Sequence, residues 1–288
     1  MATVKTRDGT ELYVKDWGSG RPVVLIHGWP LSADSWDPIA MQLADAGYRA
    51  IAYDRRGFGR SDQPFTGYDY DTFADDLADV MQETGATSDA TLVGFSMGGG
   101  EVARYMSRHG GKGVISAALI SSVVPYMPQT DDNPDGVPQK QLDAIVQSVT
   151  EDRATFFGTF FKQFYGVGMI SHPVSSEVIQ ASWNVAMTAS LKATIAAAQA
   201  FGSTDFRSDL PSFTVPTLVL HGTSDTVVPP VIGSNAAKGI ASAQYVEYDG
   251  EPHGLFMTAT DRLAKDLLTF LSGTPHTAAR EFEGGTLA

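Results

Sequence analysis

The chain has 288 residues, and 43% of them are hydrophobic, enough to bury the core of one large domain or of a domain with an inserted lobe. Its 20 basic against 33 acidic residues give a net charge of −13, a field that repels nucleic-acid backbones and anionic lipid surfaces. With no cysteine, disulfides, thiolate metal sites and a cysteine nucleophile are excluded.

Residues Thr3 to Val14 alternate around Asp8-Gly9, a turn dipeptide, so the chain is expected to open with an antiparallel hairpin. After it come short, continuous apolar runs at Val23–Ile26, Ala50–Tyr53, Thr91–Val93, Ala117–Ile120 and Thr217–Leu220. Such runs suit parallel strands buried on both faces. Ile39, Leu43 and Ala46, and then Phe73, Leu77 and Val80, have helical spacing between strands, as crossover helices require. The pattern is α/β: a mostly parallel sheet, an antiparallel N-terminal hairpin and helices on both faces. Residues 125–210 break the rhythm and read as an inserted helical lid. Its aromatics, Phe156, Phe157, Phe160, Phe161, Phe164 and Tyr165, are expected to form lid core, with one or two lining a pocket. The core is then 1–124 plus 211–271, and 272–288, without clear period, is expected to be a disordered tail. The longest mostly apolar stretch, Val114 to Val124, is too short to span a bilayer, and the start lacks an apolar signal core, which suggests a cytoplasmic protein.

The strongest local signal is Gly94-Phe95-Ser96-Met97-Gly98, set between the strand Thr91–Val93 and a helical segment through Val102, Tyr105 and Met106. A turn this sharp strains the serine backbone, and the flanking glycines let strand and helix approach, so Ser96 is pushed out over the sheet. A serine hydroxyl needs a base, and the base needs a carboxylate to fix its tautomer. Asp225, after the strand at Thr217–Leu220, and His253, after a strand at Tyr245–Tyr248, both lie past strand carboxyl ends, where parallel sheets gather their ligand sites. Asp249 is the rival acid, four residues before His253 in the same loop. Among the other histidines, His27 reads as a structural turn residue, His221 as a satisfied, partly buried side chain and His109 as a helix C-terminal residue. His172 lies in the lid and His276 in the tail. The backbone N–H groups of Met97 and Trp29 are the candidate oxyanion donors, since Pro30 has no N–H. Trp29 also suits packing against the lid. Phe95 and Val227, each beside a candidate catalytic residue, are expected to narrow the substrate pocket. The arginines between Asp54 and Asp62 are read as an ion-paired structural turn.

From about Val4 to Leu271 the chain resembles the cofactor-free, non-haem bacterial haloperoxidase and aryl-esterase branch of the α/β-hydrolases. The likeness rests on HGWPLSADSWD, AYDRRGFGRSDQP, GFSMGGGEVARYMSRHG, HGTSDTVVP and the closing EPHG. That resemblance implies hydrolysis of short-chain carboxylic esters and formation of peracids from carboxylic acid and hydrogen peroxide. Related members hydrolyse γ-lactams, so a lactamase or amidase is an alternative, and a ligand-binding receptor with a slow triad is another. Haloalkane dehalogenases and epoxide hydrolases resemble this fold too, but they carry aspartate where this chain has Ser96. No metal or organic cofactor is expected, the partners being a small ester or acid and peroxide, and a homo-oligomer is left open.

Overall fold

A computed structural model describes residues 2–275. It holds one sheet in the order β1-β2-β4-β3-β5-β6-β7-β8. β1 (Ala2–Lys5) and β2 (Glu11–Gly18) form the expected hairpin. Its turn is closed by Thr6 N–H to the Thr10 carbonyl at 2.9 Å, with Asp8 Oδ1 accepting from the Thr6 hydroxyl at 2.7 Å and Gly9 at φ +91°. A side chain at Gly9 would meet the left-handed penalty. β2 also pairs antiparallel with β4 (Arg49–Tyr53), and from there every pairing is parallel. The remaining strands are β3 (Pro22–Ile26), β5 (Ala90–Phe95), β6 (Val114–Ile120), β7 (Thr217–Gly222) and β8 (Ala243–Tyr248).

Every residue of β5 and β7 is buried, so both faces of the sheet's centre are covered. Helix α1 (Asp37–Asp45) packs on α9 (Thr260–Gly273), and α2 (Tyr70–Thr84) on α3 (Met97–Arg108). Helix α2 begins where Asp69 accepts Thr72 N–H at 2.9 Å, an N-cap, and stops at left-handed Gly85. Between β6 and β7 the chain inserts α4 (Gln139–Phe164), α5 (Ser176–Thr188) and α6 (Leu191–Phe201). Helix α4 is broken at Asp152, whose carboxylate takes Thr155 N–H at 3.0 Å and so caps the second half. Helices α7 (Pro230–Gly239) and α8 (Leu255–Thr258) follow β7 and β8.

The C-terminal boundary differs from the sequence reading. Ser272 and Gly273 continue α9, and Thr274 is buried, because the Arg21 guanidinium donates to the carbonyls of Thr274 (3.1 Å) and Leu271 and caps the helix end. The rest of the expected tail, 276–288, lies outside the described residues. Among the described residues no helix is long and apolar enough to cross a membrane.

Candidate active site

The three candidate residues sit at the carboxyl ends of β5, β7 and β8, and the parallel register brings them to one edge of the sheet. Ser96 joins β5 directly to α3 at φ +53°, ψ −119°, an unfavourable region for any residue with a Cβ. Tight packing holds that conformation. A Cβ on Gly98 would lie 2.4 Å from the Ile26 carbonyl oxygen, and one on Gly94 would lie 2.5 Å from that of Gly98. Ser96 N–H is in turn bonded to the Ile120 carbonyl at 2.8 Å.

His253 Nε2 is 2.9 Å from Ser96 Oγ, and its Nδ1 is 2.6 Å from Asp225 Oδ2. The second Asp225 oxygen accepts the N–H groups of Val227 (2.9 Å) and Val228 (2.8 Å). The carboxylate is therefore satisfied on both sides. Burial works to raise the Asp225 pKa, but the facing His253 charge and hydrogen bonds from His221 and His253 outweigh it and hold the group below the ordinary carboxylate range. Asp249 instead lies on the surface, with a 3.4 Å contact from the Thr223 hydroxyl. The His253 ring is wedged between Phe95 and Phe164, with centroids at 5.0 and 4.9 Å.

Met97 opens α3, so its N–H has no acceptor within the helix. Trp29 follows β3 next to a cis bond to Pro30. Its indole N–H donates to the Thr194 carbonyl at 3.0 Å, and its rings pack on Phe157, Phe160 and Phe201 of the insert. A cavity of about 210 Å³ opens over Ser96 and His253. Trp29, Val123, Val227 and Val228 line it from the core, and Leu142, Ile145, Phe156 and Phe160 from the insert. At its rim Gln163 Nε2 donates to the Thr226 carbonyl at 3.0 Å, tying α4 to the loop that carries Asp225.

The family model for the alpha/beta hydrolase fold matches residues 21–260. A non-heme chloroperoxidase from Kitasatospora aureofaciens is 44% identical over 94% of this chain and 100% of its own. The chain belongs to the α/β-hydrolase family, in its non-heme haloperoxidase branch. A bifunctional esterase/perhydrolase from Acinetobacter calcoaceticus is 39% identical, covering 94% of this chain and 99% of that protein. The crystal structure of bromoperoxidase from Bacillus anthracis superposes with a TM-score of 0.91 at 41% identity, covering 94% of this chain and 99% of that one.

Two sequence expectations change in this α/β-hydrolase. Phe95 does not line the cavity: as the last residue of β5 its ring turns inward against Trp36, Phe164, Phe256 and the back of His253. His221 is not partly buried and satisfied. It is fully buried, with Nε2 2.9 Å from the Val228 carbonyl, and Nδ1 has no hydrogen-bond partner among the described residues.

His27 accepts Arg55 N–H at Nε2 (3.0 Å) and donates from Nδ1 to the Gly28 carbonyl (2.9 Å). Burial, and then the Arg55 charge, push its pKa well below the usual histidine value, so it is neutral structure. The Asp54–Asp62 turn is ion-paired: Arg60 binds Asp54 and Asp34, and Arg56 forks Asp76 with both bonds at 2.6 Å. Residue patterns gave no sign of Glu101. It is fully buried on the first turns of α3, where it pairs with Arg55 and accepts the Tyr53 hydroxyl at 2.5 Å. Arg55 also donates to the His27 carbonyl at 2.7 Å. One buried ion pair thus ties the Trp29 loop to the helix that begins at Met97.

Proposed function

We propose that this protein is a cofactor-free serine esterase of small carboxylic esters that also makes peracids, with Ser96 as nucleophile, His253 as base and Asp225 as its orienting acid. The observation that carries the reading is the continuous hydrogen-bonded line Ser96 Oγ, His253, Asp225. Asp225 keeps Nδ1 protonated, which leaves the Nε2 lone pair for the serine proton. Ser96 Oγ attacks the carbonyl carbon as His253 takes its proton, and the Trp29 and Met97 N–H groups receive the developing oxyanion. His253 then gives the proton to the leaving alkoxide, and the alcohol departs from an acyl-Ser96.

Water or hydrogen peroxide next attacks the acyl carbon, passing its proton through His253 back to Ser96. The products are the carboxylic acid or the peracid. Released peracid oxidises bromide to hypobromous acid and returns as carboxylate, so halogenation takes place in solution. Neither half-reaction draws on a metal or organic cofactor. The names of the similar chloroperoxidase and esterase/perhydrolase support both outcomes. The apolar wall supplied by α4 and α6 makes the insert a lid, and the 210 Å³ beneath it suits short acyl chains.

The test assays p-nitrophenyl acetate hydrolysis, and bromination driven by acetate and peroxide, with wild type and Ser96→Ala. Both activities are expected to fall on the order of 10⁴-fold, and a chelator should change neither. Bromination persisting in Ser96→Ala would separate halogenation from the acyl-enzyme route.

A further inference from the structure

His221 has no part in the steps above, yet it stands at the end of β7 beside the acid. Its Nε2 lies 2.9 Å from the Val228 carbonyl and 3.3 Å from Asp225 Oδ2, the oxygen that also faces His253 Nδ1. Both neighbours are acceptors, so Nε2 must carry the hydrogen. On the other side Nδ1 faces Gly233 of α7, so closely that a Cβ there would come within 2.3 Å. Nδ1 is buried and has no partner among the described residues. A hydrogen on that nitrogen would be a buried donor with no acceptor, so the surroundings favour the tautomer that carries its hydrogen on Nε2.

We propose that His221 is a positioning residue for the acid. Its Nε2–H holds the Val228 carbonyl and so fixes the loop whose Val227 and Val228 amides grip Asp225 Oδ1. The same nitrogen stands 3.3 Å from Oδ2, so its positive hydrogen, though given to Val228, adds an electrostatic attraction that keeps that oxygen on the His253 side. Because the tautomer is favoured by packing against Gly233, the donor stays in place when His253 gains its proton and Asp225 must not rotate away. The inference rests on the Ser96, His253 and Asp225 assignment above.

Two substitutions separate position from bulk. His221→Gln sets an amide N–H where Nε2 lies, whereas His221→Asn sets one where Nδ1 lies. His221→Asn is expected to lose about tenfold to a hundredfold in kcat with KM little changed, and to lose the low-field proton resonance between His253 and Asp225. His221→Gln should restore most of kcat and the resonance. In the wild type, nitrogen-15 correlation spectra should place the His221 proton on Nε2, a measurement that decides the matter even where His221→Asn does not fold. A proton on Nδ1, or Asn and Gln variants that both keep wild-type kcat while their melting temperatures fall, would reduce His221 to a space-filler. Ester hydrolysis persisting in Ser96→Ala would instead overturn the triad reading beneath it, and His221→Gln alone would not produce that result.

Discussion

At Asp225, each carboxylate oxygen meets its own donors: amides on Oδ1 and His253 on Oδ2. Asp225→Asn has no good placement for its amide. With nitrogen toward His253 it favours the wrong imidazole tautomer, and with nitrogen toward Val227 and Val228 it sets donor against donor. The expected loss in kcat is on the order of 10⁴-fold, while Asp249→Asn should stay near wild type, since its Thr223 contact is long and at the surface. The reverse result in steady-state assays would transfer the role to Asp249. Ser96, His253 and Asp225 could be brought together from sequence because each lies just past the carboxyl end of a strand-like run. Phe95 and His221 could not be read the same way. Adjacency to a catalytic candidate does not fix where a side chain turns at a strand end, and the burial of His221 depends on α7 closing over it at Gly233.

Between elements, the Arg55–Glu101 pair joins the loop after β4 and the loop after β3 to α3. Removing one partner leaves a buried charge uncompensated. Arg55→Met should therefore cost about 3–5 kcal/mol in denaturant unfolding, and the double variant Arg55→Met/Glu101→Leu should recover part of it. Additive losses would mean the two groups do not act as a pair. The helical insert contributes the far wall of the cavity, where half-buried Phe156 stacks on Phe160 at 5.5 Å. Wild type should prefer acetate and butyrate esters over octanoate, and Phe156→Ala should shift the optimum toward longer chains. A wild-type preference for octanoate would contradict the short-acyl reading. The central strands β3 to β7 were legible as continuous apolar runs, since a doubly covered parallel sheet leaves no wet face there. The break of α4 at Asp152 and the end of α9 were not. The second depends on Arg21, which meets Thr274 from the opposite end of the chain.

For the whole molecule, the depressed pKa of Asp225 links folding to pH. The unfolded chain protonates its aspartates near about pH 3.9, where native Asp225 still holds its charge. Below that pH the unfolded state binds more protons, so the stability Asp225 contributes is complete above about pH 4 and is lost as the pH falls toward its lower native value. Melting temperatures between about pH 3 and 6 should fall more steeply for wild type than for Asp225→Asn, and parallel curves would refute the linkage. In the proposed mechanism the sheet, the β5–α3 turn and the helical insert all serve one chemical event, the transfer of an acyl group to Ser96. That event is most directly tested by rapid-quench mass spectrometry of enzyme mixed with p-nitrophenyl acetate. A burst of nitrophenol matched by an acetyl group on the peptide bearing Ser96 is expected, and it should be absent in Ser96→Ala. A burst with acetyl on another residue, or turnover with no acyl-enzyme at any time, would contradict the proposed mechanism.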